Sequence, residues 1–425
     1  MKRRPEKHTE AQVPPAVEAL RELLLPMVGA ASRAKAELAL WIQQVGLAAL
    51  REVFQSEAEY LAGPKGKHLV GRRNHRWGTA SSELTMGGRR VVVSRPRVRS
   101  KAGREVALPT LEYFQSRDAM SARVVDQILL GVSTRGYEAS LGSVAPEVRT
   151  RGTSRSAVSR RFITASRAKA REHLSQRLDG FTTAALLIDG IDVKRHTVIV
   201  ALAVTTTGEK VPVGLWQGST ENATLCTSLL QDLISRGLRF QDRLLCAIDG
   251  SKALPKAITD VFGDAAIVQR CQVHKLRNVK AHLPKERHGY VVSTMREAYR
   301  ASTADLARKR LRSLAAWLER NECPQAAASL REGLEETLTV MKLGLTGALR
   351  RTFATTNAIE NLLGSVRRVT RNVKRWRGGQ MVSRWTITAL LAAQKNFRRV
   401  RGCTDMRVLL DALKRARLDS AVEAA

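Results

Sequence analysis

Aromatic side chains are scarce, at 4% of 425 residues. That argues against a protein that reads single-stranded bases by stacking on them and favours contacts to duplex phosphates and grooves. Cysteine is scarce too: the five are scattered, with neither disulfide nor zinc-finger spacing, which fits a reducing compartment. No apolar run approaches the length that spans a bilayer. The charged residues 1–7 are not followed by an apolar stretch, so no signal peptide is expected. Internal repeats and low-complexity tracts are missing as well. Acidic charge is the last shortage: 39 Asp and Glu stand against 72 Lys and Arg, a formal net charge of +33. Solubility does not need such an excess, which points to a polyanionic partner, nucleic acid ahead of a membrane surface. The expectation is a soluble intracellular protein. Its 44% hydrophobic content supports real cores, and its length predicts two to four domains.

What is present centres on residues 184–190, Ala-Ala-Leu-Leu-Ile-Asp-Gly. An unbroken apolar run is the pattern of a strand buried on both faces, and the carboxylate that ends it, Asp189, belongs at the strand's mouth. The pattern returns at 244–250, Leu-Leu-Cys-Ala-Ile-Asp-Gly, ending in Asp249. Either aspartate alone could be an ordinary strand end facing solvent; the repeat makes them a pair. Asp192 lies beyond the mouth, in a predicted turn. Strands over 197–204 and 210–216 turn at 206–208. A helix (222–236), the second aspartate strand, a helix (251–262) and a strand (265–269) follow. That order is the order of a ribonuclease H-like α/β sheet, with first and fourth strands side by side and Asp189 next to Asp249.

Residues 273–347 read as an all-α insertion with helices over 291–299, 304–320 and 325–340. A helix over 355–371 then carries Glu360. Its apolar stripe (Ile359, Leu362, Val366, Val369, Val373, Trp376) faces the sheet and its other face carries Arg367, Arg368 and Arg371. Asn357 three residues before Glu360 also fits a capping box, a reading compatible with a metal role. A helix over 383–397 and a basic tail (401–425) close the chain. Two aspartates and a glutamate on adjacent elements suit a pair of Mg²⁺ ions, with Mn²⁺ as the substitute. Such a pair would sit about 3.5–4 Å apart, for in-line phosphodiester chemistry.

The remainder reads as apparatus for DNA. Residues 1–70 give two amphipathic helices, with Leu38, Trp41, Ile42 and Val45 at helical spacing, as a packing or dimer element. A basic β-ribbon (71–110) turns at Gly87-Gly88 and bears Arg89 and Arg90, opposed by little beyond Glu83; a solvated basic loop is the bland alternative. Residues 111–178 suggest a helix-turn-helix: a helix over 121–130, a second opened by Ser133, and a third after Gly152-Thr153-Ser154. The third would present Arg155, Ser156, Ser159 and Arg160 to a major groove. The sheet domain divides into 179–272 and 348–400 around the insertion. After its last strand, Cys271 and His274 lack the second pair that a zinc site needs. His274 is read as a polar contact to phosphate near the carboxylates and Cys271 as packed on the sheet. Lys275 and Arg277 are read as phosphate contacts or solvated surface.

Four strings carry a resemblance over roughly residues 70–400. They are Ile-Asp-Gly at 188–190 and 248–250, Gln-Arg-Cys-Gln-Val-His-Lys-Leu-Arg-Asn at 269–278, and Thr-Thr-Asn-Ala-Ile-Glu at 355–360. Together they resemble the Mutator-like DDE transposases of bacterial insertion sequences, the two-fifty-six type. The resemblance implies a catalytic triad of Asp189, Asp249 and Glu360 with His274 nearby. It also implies a helical insertion before the glutamate helix, binding to terminal inverted repeats and to target DNA, and action as a homodimer in the bacterial cytoplasm, at the nucleoid. Leu362-Leu363-Gly364 and the very basic 371–379 depart from the family pattern, which bears on DNA contacts there. Against strand cleavage and transfer stand two other readings: a nuclease that cuts without joining, and an idle DNA-binding derivative.

Overall fold

A computed structural model describes residues 15–67, 71–116, 119–218 and 222–423, with side chains described from residue 34 to residue 419 except at 116 and within those gaps. The chain forms two compact units, Met1–Phe162 and Ile163–Ala425.

In the first unit one helix, α1 (Pro15–Ala62), replaces the two that were predicted. Ala34 and Ala36, good helix formers, lie within its unbroken run. The ribbon forms within the predicted range: β1 (Asn74–Met86) pairs antiparallel with β2 (Arg89–Ser100), Met86 opposite Arg89. Gly87 and Gly88 both have positive φ, 57° and 85°, as a two-residue hairpin turn requires. A Cβ on Gly88 would also lie 2.6 Å from Arg123 Cγ, so glycine is needed there twice over. Leu84, Val91, Val93 and Val98 pack with Phe54 and Ala58 of α1, which explains how so basic a ribbon holds together. Short strands β3 (Glu105–Val106) and β4 (Thr150–Arg151) extend the sheet.

Helices α2 (Pro109–Ser116) and α3 (Ala119–Leu129) follow β3, and α3 buries Met120, Val124, Val125 and Ile128. The helix predicted to start at Ser133 does not form. Ser133 Oγ accepts from Gly136 N at 3.0 Å and so caps a single turn, and only 139–141 coil further, as one 3₁₀ turn. Tyr137 is pulled inward instead, donating to Gly88 O at 2.8 Å. Helices α3 and α4 (Arg155–Ser175) are therefore separated by an irregular segment rather than by a tight turn. Ser154 Oγ accepts from Ala157 N at 3.3 Å at the start of α4.

The second unit is built on β5 (Thr182–Val193), β6 (His196–Thr205), β7 (Lys210–Gly218), β8 (Arg239–Ile248) and β9 (Ala266–Arg270). Their order is β7-β6-β5-β8-β9, antiparallel among the first three and parallel across β5–β8–β9. The sheet thus has its first and fourth strands side by side. Alternation sends Leu186 and Ile188 to the face covered by α5 (Ala223–Ser235) and α6 (Ala253–Phe262). It sends Ala185, Leu187 and Ile191 to the other face. The other core takes in α7 (Gln272–Ala281), α8 (His288–Tyr299), α9 (Ala304–Arg320) and α10 (Pro324–Arg331), which pack on one another, with α11 (Thr339–Lys342) against β9 and α12 (Gly347–Phe353) following. Lying directly against the strands are α13 (Asn357–Thr370) on β5, α14 (Gly379–Gln394) on β6 and β7, and α15 (Met406–Glu423) on β8.

Three predicted boundaries change. The helix predicted over 325–340 breaks at Gly333, whose φ of 61° a side chain would disfavour and whose Cβ would meet Arg270 Nε at 2.6 Å. The stripe beyond Thr370, Val373 and Trp376, falls outside α13. The expected basic tail is the helix α15, which buries Leu409, Ala412 and Leu413 while its arginines face out. Among the described residues no helix is long and apolar enough to cross a membrane.

Candidate active site

Strand β5 does not stop at Asp189. It continues as a hairpin with β6 to Val193, because the polar residues that suggested an end pair as well as apolar ones in an antiparallel ladder. What stops is the parallel partner: β8 pairs with β5 only as far as Ile188 opposite Ile248. Asp189 therefore lies one residue past the last β5–β8 pair, and Asp249 immediately follows β8. Asp189 shares the face of Ala185 and Leu187, the face that α13 covers. Asp192 is in the strand, not in a turn, and accepts from Thr197 Oγ1 at 2.8 Å.

Asp189 is 7% exposed and Oδ1 accepts from Gly190 N at 2.8 Å. Burial first, then the charge of Asp249 and more weakly that of Glu360, push its carboxyl up to about 6. The Gly190 N–H and the nearby His274 act the other way. Asp249 Oδ1 accepts from Ser251 N at 3.0 Å, which fixes it at the strand exit.

Glu360 lies in the first turn of α13. The capping box with Asn357 is not formed: the N-cap residue is Thr356 and Asn357 is already helical. Thr356 Oγ1 donates to Glu360 Oε1 at 3.0 Å, His274 Nδ1 lies 3.8 Å from the same oxygen, and Arg277 reaches Oε2 at 3.6 Å. Cys271, buried as predicted, gathers these elements. Its N–H donates to Ile248 O at 2.8 Å, and its sulfur accepts from His274 N at 3.5 Å and Thr356 N at 3.4 Å. The sulfur beside it holds His274 up to about 9 against the opposing effect of burial, helped by Glu360 and Asp189. Burial would raise the thiol in turn, but the contacts from His274 and Thr356 outweigh it and bring Cys271 below its ordinary value. Thr356 is a site residue that sequence reasoning missed; the Thr-Thr-Asn string was its signal.

Ligand atoms of Cys271, His274 and Glu360 all lie within 4.8 Å of one another. Among the described residues the three carboxylates do not form such a group, although Asp189 feels the charge of both others. The donor set fits magnesium. Asp189 and Asp249 supply hard oxygens whose mutual repulsion a divalent cation would relieve, and Glu360 supplies a third from the facing helix.

The predicted DNA contacts divide. Arg155, Ser156 and Arg160 are exposed at the start of α4 and Ser159 is half-buried; Arg367, Arg368 and Arg371 are exposed on or just after α13, with Arg368 donating to Ser365 Oγ at 3.0 Å. Arg277 is exposed beside Glu360. Arg89 and Arg90 are half-buried. Arg89 donates to Gly142 O, and Arg90 to Gly152 O at 2.9 Å while pairing with Glu83 at 3.4 Å. Both therefore also tie the ribbon to the loops beside it. Lys275 is a correction. It is 2% exposed, and its ammonium donates to Ser329 O at 2.7 Å and Glu332 O at 2.5 Å. Two residues, about half a helical turn, separate exposed Arg277 from Lys275, which is on the core face of α7, out of reach of a phosphate.

A family model described as Transposase, Mutator family, matches residues 28–400. The transposase for insertion sequence element ISRM3 of Rhizobium meliloti is 33% identical over 207 residues, 49% of this chain and 50% of that protein. The transposase for ISRM5 of the same organism is 26% identical over 341 residues, 77% of this chain and 81% of that protein. The transposase for IS256 in transposon Tn4001 of Staphylococcus aureus is 29% identical over 170 residues, 40% and 42% of the two chains. The match to the first of these spans about half of the relative's length. With the family match running through both units and across all four motif strings, the chain belongs to the Mutator family of transposases.

Proposed function

We propose that this protein is the DDE transposase of an insertion sequence, cutting DNA at terminal inverted repeats and joining the freed 3′ end to target DNA. The observation that carries the reading is the carboxylate pair at the exits of two adjacent parallel strands, one member buried and held near pH 6, with a third carboxylate on the helix covering that face. Strand order supports a ribonuclease H-like core. Asp189, Asp249 and Glu360 would hold the metal. Bound Mg²⁺, or Mn²⁺ in its place, supplies an activated attacking oxygen and a stabilised leaving oxygen.

The chain's own residues do the rest. The Gly190 and Ser251 amides orient the aspartates, and Thr356 orients Glu360. His274, protonated at neutral pH, and Arg277 offer positive charge to a scissile phosphate. The exposed first turns of α4 would enter a major groove in place of the compact helix-turn-helix, and the arginines of α13 would bind backbone phosphates. Leu38, Trp41, Ile42 and Val45, 45–58% exposed along α1, support pairing of two copies. The protein would then act as a homodimer on the nucleoid, in the cytoplasm.

The test uses a duplex bearing the element's inverted ends, a target plasmid, and Mg²⁺. Cleaved and joined products are expected from the wild type, and from Glu360→Gln a shifted duplex without products, because a neutral amide is a poor ligand for Mg²⁺. Cleavage without joining would favour the nuclease, and binding alone the idle derivative.

A further inference from the structure

One corner of the site is chemically unlike the rest. Cys271, His274 and Glu360 present sulfur, nitrogen and oxygen within 4.8 Å of one another, with 3.8 Å between His274 Nδ1 and Glu360 Oε1. In a tetrahedral zinc site, with bonds of about 2.0–2.3 Å, ligand atoms stand roughly 3.3–3.7 Å apart. Small side-chain shifts would therefore close the set. Two amide N–H groups already point at the sulfur, which favours the thiolate that a metal requires. His274 and Glu360 are half-buried, so an ion can reach them. Magnesium avoids such a set; Zn²⁺ and Co²⁺ prefer it. Spacing along the chain could not reveal it, because its third ligand comes from a helix nearly ninety residues away.

We propose that Cys271, His274 and Glu360 form a soft cation site for Zn²⁺ that borrows Glu360 from the hard-oxygen site and so antagonises it. The antagonism rests on the assignment of Glu360 under the proposed function; the binding of zinc does not.

Co²⁺ is the probe for the full chain. One equivalent should give the near-ultraviolet absorption of thiolate-bound cobalt, displaced by Zn²⁺ and untouched by Mg²⁺. Removing one of three ligands should weaken binding by at least the ~10–100-fold seen when an outer-shell partner is lost. His274→Gln, at a half-buried position, and Cys271→Ser should both show that loss, and Asp189→Asn should not. Mn²⁺ binding, read by electron paramagnetic resonance, should weaken by roughly tenfold or more after Zn²⁺ loading in the wild type, but not in His274→Gln. An undiminished cobalt signal in both ligand variants, or none in the wild type, overturns the site. Cobalt binding with Mn²⁺ affinity unmoved by Zn²⁺ overturns the antagonism. Wild-type protein that binds cobalt but no Mn²⁺ strikes the transposase reading instead.

Discussion

Asp189→Asn should stabilise the metal-free protein by about 3 kcal/mol at pH 7.5 while abolishing strand cleavage. The sign follows from the carboxyl's raised value, about 6 in the fold against 3.8 for the free group. Between those values the native state holds a proton that the unfolded chain has released. Stability therefore falls as pH rises from about 4 to 6, and the deficit persists above. Asparagine retains an oxygen for the Gly190 N–H and carries no charge, so it escapes the deficit. Urea unfolding in EDTA checks this. The variant should be the more stable at pH 7.5 and match the wild type near pH 4. A gap of equal size at both pH values would mean that charge is not its cause. A residue that costs stability and is needed for chemistry is what a metal ligand looks like before the metal arrives.

Lys275→Ala should destabilise the protein by about 3 kcal/mol and leave DNA affinity per folded molecule unchanged. Its ammonium satisfies two backbone carbonyls, Ser329 O and Glu332 O, and lies 3.7 Å from Glu332 Oε2. Alanine would orphan those carbonyls, leave a cavity, and leave Glu332 to Arg270 alone at 3.3 Å. Lys275→Met, which keeps the volume, should lose less. The salt dependence of binding separates this role from a phosphate contact, whose removal would lower the slope by about 1.

The sheet was legible because apolar runs over 184–188 and 244–248 can be little else, and the strand–helix order then dictated which strands are neighbours. Asp189 and Asp249 were legible for the same reason: each interrupts such a run at the same place. Four things were hidden. Strand β5 outlasts Asp189 because its antiparallel partner continues where its parallel partner stops, a difference invisible in one segment's composition. Lys275 reads as a surface cation until α10 is packed against α7. The missing helix after Ser133 depends on Tyr137 burying itself beneath the ribbon, a long-range contact that outweighs a local cap. Thr356 and Cys271 act by joining the starts of α7 and α13, and no spacing in either string predicts that.

Shared coordination of divalent metal by three carboxylates distant in sequence is open to direct observation. A crystal structure of the full chain grown with Mn²⁺ and a cut transposon-end duplex, phased to show anomalous scattering, tests it most directly. Metal peaks should lie about 2.0–2.2 Å from oxygens of Asp189 and Asp249, with Glu360 drawn from Thr356 into coordination. Peaks elsewhere, or Glu360 still bound to Thr356 and Arg277 while metal fills the aspartate pair, would contradict it.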